Sequence, residues 1–266
     1  MRNFTINALA NELTNKGYDV KVDSVQKNGI DIPCIRINFG SYGCSLYPTS
    51  DIDAVNDGTT TVDEVVTLYA KRIEDAKLTK PIEVNRLIDK DYLKANVRLA
   101  VERDFDADYI KEPLADFAGL SKYMICMTTI GDGNGSFRIT DDVVKQSGAD
   151  LNEVWGWAMD NLIKDTTCKN LAEMFGFPPM PMYVISTTDL YKGASAMLNK
   201  AVLNNLAKEL GTDALTIIPS SIHEIIAIPS NADDLATIAT MIGQVNESEV
   251  KPEEVLFDKP FTYKVA

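Results

Sequence analysis

The single histidine of the chain, His223, lies in a short polar stretch between two apolar, strand-like runs. Ser220 and Ser221 precede it, and Glu224 follows it directly. Serine, imidazole and carboxylate are the groups of nucleophilic hydrolysis, because the serine needs a nearby base and the base needs an orienting acid. Ser220, Ser221, His223 and Glu224 are therefore the candidate site residues, with His223 as the base and either serine as the nucleophile.

The spacing of these residues argues against a complete catalytic relay within the stretch itself. Side chains alternate between the two faces of a strand, so Ser221 and His223 should share one face and Glu224 should occupy the other. A carboxylate from elsewhere would have to complete the relay, and the G-x-S-x-G turn of many hydrolases is missing here. The favoured interpretation is structural: the serines bond backbone groups at a turn, and His223 and Glu224 hydrogen-bond across the sheet. Because Glu224 should share its face with isoleucines, a binding site around it stays an alternative.

The glycine-rich segment 131–136 superficially resembles a calcium or phosphate loop. An EF-hand that starts at Asp132 would place Phe137 where glycine is required and Val143 where the bidentate glutamate is required. The segment also lacks the Lys-Ser/Thr ending of a Walker loop. We therefore predict a hairpin turn.

A second polar segment, 189–195, brings Tyr191, Lys192 and a serine close together. Turn chemistry accounts for it, with Gly193 providing backbone freedom. One histidine excludes multi-histidine metal sites, although a magnesium site made only of carboxylates stays open. No cofactor and no metal are predicted.

Composition and charge restrict the class of protein. The chain has 266 residues, of which 45% are hydrophobic and 24% charged, as is typical of a folded globular protein. Its formal net charge of −13 disfavours direct binding to nucleic acid or to anionic membranes. No apolar run is long enough to cross a bilayer, and no secretory signal is evident at the start, so the expected compartment is the cytoplasm. The four cysteines show no CxxC spacing and are predicted to be free thiols.

The periodicity of apolar residues predicts an α+β fold with a mixed or mainly antiparallel sheet and an α/β-like C-terminal third. Proline residues near 178 indicate a boundary between regions 1–177 and 178–266, which could also form one continuous domain. The segment 51–61 is predicted to be an acidic loop. The predicted helices cover 3–16, 61–77, 140–148, 151–164, 199–210 and 233–245. The predicted strands cover 18–27, 32–39, 97–102, 123–130, 137–139, 182–186, 215–218, 222–228 and 261–265.

Several segments together resemble an uncharacterised bacterial family, a domain of unknown function found largely in gut Firmicutes. The resemblance is strongest over residues 182–258 and weaker toward the N-terminus. It implies an accessory protein often encoded near mobile elements, and it implies no activity, cofactor or catalytic residue. The segments that carry it are 182–186, 190–194, 206–211, 218–224 and 245–256.

The leading prediction is thus a cytoplasmic, non-catalytic interaction or regulatory protein with a protein partner and no predicted oligomeric state. The alternative is a hydrolase that uses Ser220 or Ser221 with His223. A weaker alternative is an acidic mimic of nucleic acid, in which Asp51, Asp53 and Asp57 contact a basic partner.

Overall fold

The computed structural model describes residues 3–40, 43–78, 86, 88–130, 133–231 and 234–265. The chain forms two compact units. Unit 1 comprises Met1–Ile82 with Thr129–Gly133, and unit 2 comprises Glu83–Thr128 with Asn134–Ala266. Residue 178 lies within unit 2, and the division into 1–177 and 178–266 stays a prediction.

Unit 1 begins with the predicted helix and hairpin. The helix ends before Gly17, whose φ of 90° is the left-handed conformation that glycine tolerates. The two hairpin strands pair antiparallel across Asn28-Gly29, where both residues have positive φ, as a tight hairpin turn of the I′ type requires. The elements of this unit are α1 (Ile6–Asn15), β1 (Val20–Lys27), β2 (Ile30–Asn38), β3 (Gly43–Leu46), α2 (Thr49–Asn56) and α3 (Val62–Leu78).

The prediction of an acidic loop over residues 51–61 is wrong for its first half, which belongs to α2. Asp51 lies in the first turn of this helix, where a negative charge is favourable. Its carboxylate accepts a hydrogen bond of 2.6 Å from the Tyr69 hydroxyl and lies 3.5 Å from the Arg72 guanidinium. Contacts from α3 therefore support α2, and local sequence preference does not reveal them.

The core of unit 1 lies between its helices and its sheet. The order of that sheet is β1-β2-β3, antiparallel throughout. Side chains from α1, β2 and α3 are excluded from water and form one apolar cluster, as the amphipathic pattern of α1 predicts. Its fully buried members include Leu9, Leu13, Ile35, Tyr69 and Ile73.

Two further sheets belong to unit 2, except for their residues 129, 130 and 133, which are assigned to unit 1. One has the order β4-β6-β5, with β7 paired to β6, and the other has the order β12-β10-β11-β9-β8. The strands are β4 (Val97–Arg103), β5 (Lys111–Pro113), β6 (Leu120–Ile130), β7 (Gly133–Arg138), β8 (Thr166–Asn170), β9 (Tyr183–Thr187), β10 (Ala214–Ser221), β11 (Glu224–Pro229) and β12 (Phe261–Lys264). The helices are α4 (Lys90–Asn96), α5 (Asp141–Ser147), α6 (Leu151–Asp165), α7 (Leu171–Met174), α8 (Lys200–Leu210) and α9 (Leu235–Ser248), with 3-10 turns at Gly193–Leu198 and Pro252–Glu254.

Helix α6 has the apolar spacing that its sequence predicts. Its buried residues Val154, Ala158 and Leu162 share an apolar cluster with Leu99 of β4 and Met124 of β6. Alternate residues of these strands point away from α6, so the opposite face of the sheet is lined by a different set of side chains.

The α+β class is confirmed, and the pairings described within each sheet are antiparallel. Strands and helices alternate in the C-terminal third, as predicted. The prediction missed β3, β5, β8, α4 and α7. The prediction of a turn at 131–136 is wrong for residues 133–136, which belong to β7, and residues 131 and 132 lie outside the described residues.

Candidate functional site

The four candidate residues meet at the turn between β10 and β11. Ser220 and Ser221 end β10, and Glu224 begins β11. The Ser220 hydroxyl donates to the Glu224 carboxylate over 3.3 Å, and the backbone N–H of His223 donates to the Ser221 hydroxyl over 3.0 Å. The structure thus brings all four together. The described hydrogen bonds do not connect either serine to the imidazole.

The expectation that His223 lies on a strand is wrong, because Ile222 and His223 form the turn itself. Ile222 is buried in the core. Its N–H donates to the Glu254 carbonyl over 2.9 Å, and its carbonyl accepts from the Ala194 N–H over 3.3 Å. The ladder between β10 and β11 is irregular just before this point. Anchoring of Ile222 from two sides therefore removes the strand alternation on which the expected facing of His223 depended.

Backbone groups of one loop hold the imidazole of His223. Its Nδ1 lies 3.1 Å from the Leu190 carbonyl oxygen and 3.3 Å from the Lys192 amide nitrogen. A single ring nitrogen can donate to the carbonyl in one tautomer or accept from the N–H in the other, so the two bonds are alternatives. Either tautomer fixes the ring on the Thr187–Gly193 loop.

The Thr187–Gly193 loop has an uncommon backbone. Leu190 and Lys192 have φ values of 61° and 52°, in the left-handed region that side chains other than glycine seldom adopt. Asp189 holds the loop by accepting from the Thr187 hydroxyl and from the Tyr191 N–H at 3.1 and 3.0 Å.

Gly193 has a different role from the predicted one. It does not supply backbone freedom, since the positive φ values belong to other residues of the loop. A Cβ at Gly193 would lie 2.1 Å from the Ser186 hydroxyl and 2.5 Å from the His223 carbonyl oxygen. The Ser186 hydroxyl itself donates to that carbonyl over 2.7 Å. Glycine is needed here because the loop packs directly on the His223 turn.

A second polar cluster, which sequence reasoning missed, lies on the sheet face opposite α6. Glu102 of β4 is buried, accepts a hydrogen bond from the Tyr109 hydroxyl and lies 3.4 Å from the Lys111 ammonium. Tyr123 of β6 is also fully buried on this face. Burial, and next the Glu102 carboxylate, raise the pKa of Tyr123 well above that of a free tyrosine. The available signal was the acidic residue at the end of the predicted strand 97–102, whose other residues are apolar except for Arg98.

A third feature is the outer strand β8, which the prediction also missed. β8 is the last strand of its sheet and pairs with β9 alone among the described strands. A groove of about 600 Å³ runs between this edge and α8, and its walls include Cys168, Glu173, Tyr183 and Glu209. Although Cys168 is exposed, the groove walls desolvate its sulfur and, together with the nearby Glu209 carboxylate, raise the pKa of the thiol to about 11.

Large apolar side chains stand in water beside this edge. Phe175 and Phe177 keep 70% and 67% of their surface exposed, and Met174 and Met180 keep 52% and 46%. Met174 ends α7, and the other three lie in the connection between α7 and β9. The Asn170 side chain ties this segment together by donating to the Met180 carbonyl over 2.6 Å and accepting from the Ala172 N–H over 3.1 Å. Asn170 thus links the two ends of the segment that carries the aromatic rings.

Within the described residues, no group of three or more histidine, cysteine or acidic residues is arranged to hold a metal ion. The four cysteines are free thiols, as predicted. None of the described helices is long and apolar enough to span a membrane.

Comparison with known sequences adds one finding. A family of unknown function, DUF5688, matches residues 4–265, nearly the whole chain. The chain belongs to this family. The DUF5688 match includes the N-terminal part, where the resemblance was expected to be weaker. No curated protein and no solved structure is significantly similar to the chain.

Proposed function

We propose that this protein acts by binding an extended segment of a partner protein along β8, and not by catalysis. The observation that carries the proposal is an open strand edge beside two exposed phenylalanines, Phe175 and Phe177. Clusters of exposed large apolar side chains mark interaction surfaces, and an unpaired strand edge can accept a further strand from another chain.

The backbone of β8 offers hydrogen bonds on its outer side. Hydrogen bonds from the Leu171 N–H to Met182 and from the Thr188 N–H to Asp165 fix which residues of β8 face β9. In an antiparallel pair these residues alternate, so Cys168 directs its backbone N–H and C=O outward and Asn170 its N–H. The Asn170 carbonyl belongs to the N-cap of α7 and accepts within that helix. An incoming strand would pair with the outward groups, while the exposed phenylalanines contact its apolar side chains.

Charge indicates the chemistry of the partner. The chain has a net charge of −13, and Glu173 and Glu209 line the groove against one cation, Lys169, among the lining residues described. A cationic segment would be attracted to this surface. A second copy of the chain would carry the same negative charge, so we favour a different protein with lysine or arginine residues beside apolar ones.

The test is selection of peptides of about 10 residues, longer than a typical strand, from a displayed random library on the immobilised protein. Synthetic versions are then titrated against the wild type and the double variant Phe175→Ser/Phe177→Ser. Met241→Ser is the matched control, because Met241 is 57% exposed on α9, outside the proposed surface. We expect binding to weaken about 10-fold or more in the double variant and to stay unchanged in the control.

N-methylation of successive peptide nitrogens tests strand pairing without any change to the protein. Pairing predicts that every second N-methyl group abolishes binding. Peptides that bind the double variant as tightly as the wild type would contradict the proposal. Failure to select any peptide, combined with self-association that the double variant abolishes, would show that a second copy occupies the surface instead.

The hydrolase hypothesis keeps one supporting observation, namely that Ser220, Ser221, His223 and Glu224 share one turn. Catalysis would require the Ser221 hydroxyl, which accepts from the His223 backbone N–H, to donate its own proton to the imidazole of His223. A hydrolytic activity found in a broad substrate screen and lost in both His223→Ala and Ser221→Ala would favour it over the binding proposal.

Two finer points complete the proposal. The cytoplasm remains the proposed compartment because the four cysteines are free thiols, and a regulatory role near mobile elements rests on the family resemblance alone. Mimicry of nucleic acid has less support, since the Asp51 carboxylate is engaged by Tyr69 and Arg72.

A further inference from the structure

The buried hydroxyl of Tyr123 indicates a second binding site, which shares no residue with the β8 surface. The residue is fully buried, and its hydroxyl forms no hydrogen bond within the described part of the chain. Buried polar groups are nearly always paired, so an orphaned hydroxyl needs an explanation. The charges that affect this hydroxyl belong to Glu102 and Arg138, and the hydroxyls of Tyr109 and Tyr191 lie near enough to influence it.

The nearby acid does not satisfy Tyr123. Glu102 is already engaged by the Tyr109 hydroxyl and by Lys111, whose ammonium also donates to the Phe105 carbonyl over 2.9 Å. The negative charge of Glu102 is therefore compensated by the Lys111 ammonium and by the hydrogen bond from Tyr109.

Two cations lie over the tyrosine rings. The guanidinium carbon of Arg138 is 4.2 Å from the centre of the Tyr109 ring and 5.9 Å from that of Tyr123. The Lys192 ammonium is 5.6 Å from the centre of the Tyr123 ring. Among the described residues, Arg138 forms no salt bridge. Its fork of N–H donors is thus held in place by stacking, without a carboxylate to bind.

The Thr187–Gly193 loop brings Lys192 to this position. The left-handed φ values of Leu190 and Lys192 store backbone strain in the loop, and strain of this kind concentrates at ligand clamps. Beside Lys192, the hydroxyl of Tyr191 bonds that of Ser136 over 2.9 Å, and 41% of the Tyr191 surface is exposed.

We propose that Tyr123, Arg138 and Lys192 form a binding site for a small oxyanion, the carboxylate or phosphate group of a small molecule. The Tyr123 hydroxyl and the Arg138 guanidinium both donate hydrogen bonds, so the ligand must accept them. A negatively charged oxygen ligand satisfies the orphaned hydroxyl and the guanidinium together, and Lys192 adds charge above the ring.

The test is thermal unfolding of the full chain in sodium phosphate, in sodium acetate and in sodium chloride of equal ionic strength. The variants are Arg138→Gln and Tyr123→Phe. The matched control is Arg86→Gln, because Arg86 also stacks on a tyrosine, 4.7 Å from the centre of the Tyr92 ring. We expect phosphate or acetate to raise Tm of the wild type and the control above its value in chloride. The apparent affinity should fall at least about tenfold in both site variants.

Tyr123→Phe separates a binding role from a structural one. Removal of an unpaired buried hydroxyl should leave the stability in chloride unchanged or increased, so loss of the anion effect in this variant cannot be attributed to unfolding. The arm that saturates at the lower concentration identifies the ligand class. The proposal would be overturned if neither phosphate nor acetate raised Tm above its value in chloride. It would also be overturned if the anions raised Tm of both site variants as much as that of the wild type.

Discussion

Gly193 is the position that allows the Thr187–Gly193 loop to pack against the turn at His223. Substitution by alanine would place a Cβ 2.1 Å from the Ser186 hydroxyl, 2.5 Å from the His223 carbonyl and 2.7 Å from the Thr187 amide nitrogen. Two of these atoms are backbone, so the loop itself would have to move.

We therefore expect Gly193→Ala to lower the free energy of unfolding by about 1–3 kcal/mol, measured by urea denaturation. Gly156→Ala is the control. Gly156 lies inside α6 with open space around it, and alanine is the better helix former by about 1 kcal/mol. A Gly193→Ala protein as stable as the wild type would show that the loop yields without cost.

Glu102 and Lys111 form a buried ion pair with a testable asymmetry. Their side chains keep 2% and 10% of their surface exposed. Removal of the cation by Lys111→Met leaves the carboxylate buried without its ammonium partner, so we expect a loss of about 3–5 kcal/mol in the free energy of unfolding.

The control for this prediction is Lys122→Met, which breaks the more exposed pair with Glu112 at 2.9 Å on the same sheet. Exposed pairs contribute about 0–1 kcal/mol, so this variant should unfold near the wild-type denaturant concentration. Equal losses in the two variants would contradict the role assigned to burial.

At the scale of the element, α3 begins with the capping box that its sequence predicts. The Thr61 hydroxyl accepts from the Glu64 N–H at 3.3 Å, and the Glu64 carboxylate accepts from the Thr61 N–H at 2.9 Å. The backbone bond from Thr61, and next its hydroxyl, lower the pKa of Glu64 below its usual value of 4.5.

Because the folded-state pKa is the lower one, ionised Glu64 stabilises the folded protein above pH 4.5, and this stabilisation is lost as the pH falls through the folded-state pKa. We expect Glu64→Gln to lower Tm at neutral pH and to converge with the wild type in acid. Glu12→Gln, at an exposed position of α1, is the control for the loss of one surface charge. A difference in Tm that persists unchanged at low pH would exclude the capping carboxylate as its cause.

The proposed role of β8 depends on the position of the strand in its sheet and not on the types of its residues. Thr166, Thr167 and Cys168 carry no catalytic pattern, and their importance comes from the position of the strand at the end of the sheet order. Natural proteins commonly protect such edges with charges, prolines or covering segments. Here the adjacent segment instead presents Phe175 and Phe177 to solvent.

For the whole molecule, the net charge of −13 gives the binding proposal a dependence on salt. Attraction between an acidic protein and a cationic peptide is screened over a Debye length that shrinks from about 10 Å at 0.1 M salt to about 3 Å at 1 M. We expect the Kd of selected peptides to rise with added sodium chloride, measured by fluorescence polarisation.

The control for this prediction is the same peptide with its basic residues replaced by glutamine. It should bind more weakly at low salt and respond little to added salt. Apolar contacts with Phe175 and Phe177 are not weakened by salt. If the Kd of both peptides were insensitive to salt, electrostatic attraction would not contribute to binding, and only the apolar contacts of the proposal would stand.

Much of the fold follows from the sequence alone. The Asn28-Gly29 turn, the Thr61 cap, and the helix that ends at Gly211 each have a local physical cause that requires no knowledge of the rest of the chain. The apolar spacing of α6 predicts its buried face because a helical period needs only local residues. The missed elements β3, β5, β8, α4 and α7 are short, and α2 depends on bonds from Tyr69 and Arg72.

The sites depended on the tertiary structure. Sequence spacing placed Ser220, Ser221, His223 and Glu224 together correctly, because they are neighbours in the chain. Only the fold decided that Ile222 is anchored in the core and that His223 contacts the Thr187–Gly193 loop. The order of strands that leaves β8 at an edge, and the assembly of Glu102, Tyr123 and Arg138 on one sheet face, come from pairing between distant segments. Local sequence patterns do not encode such pairing, and the chemistry of both proposed sites depends on it.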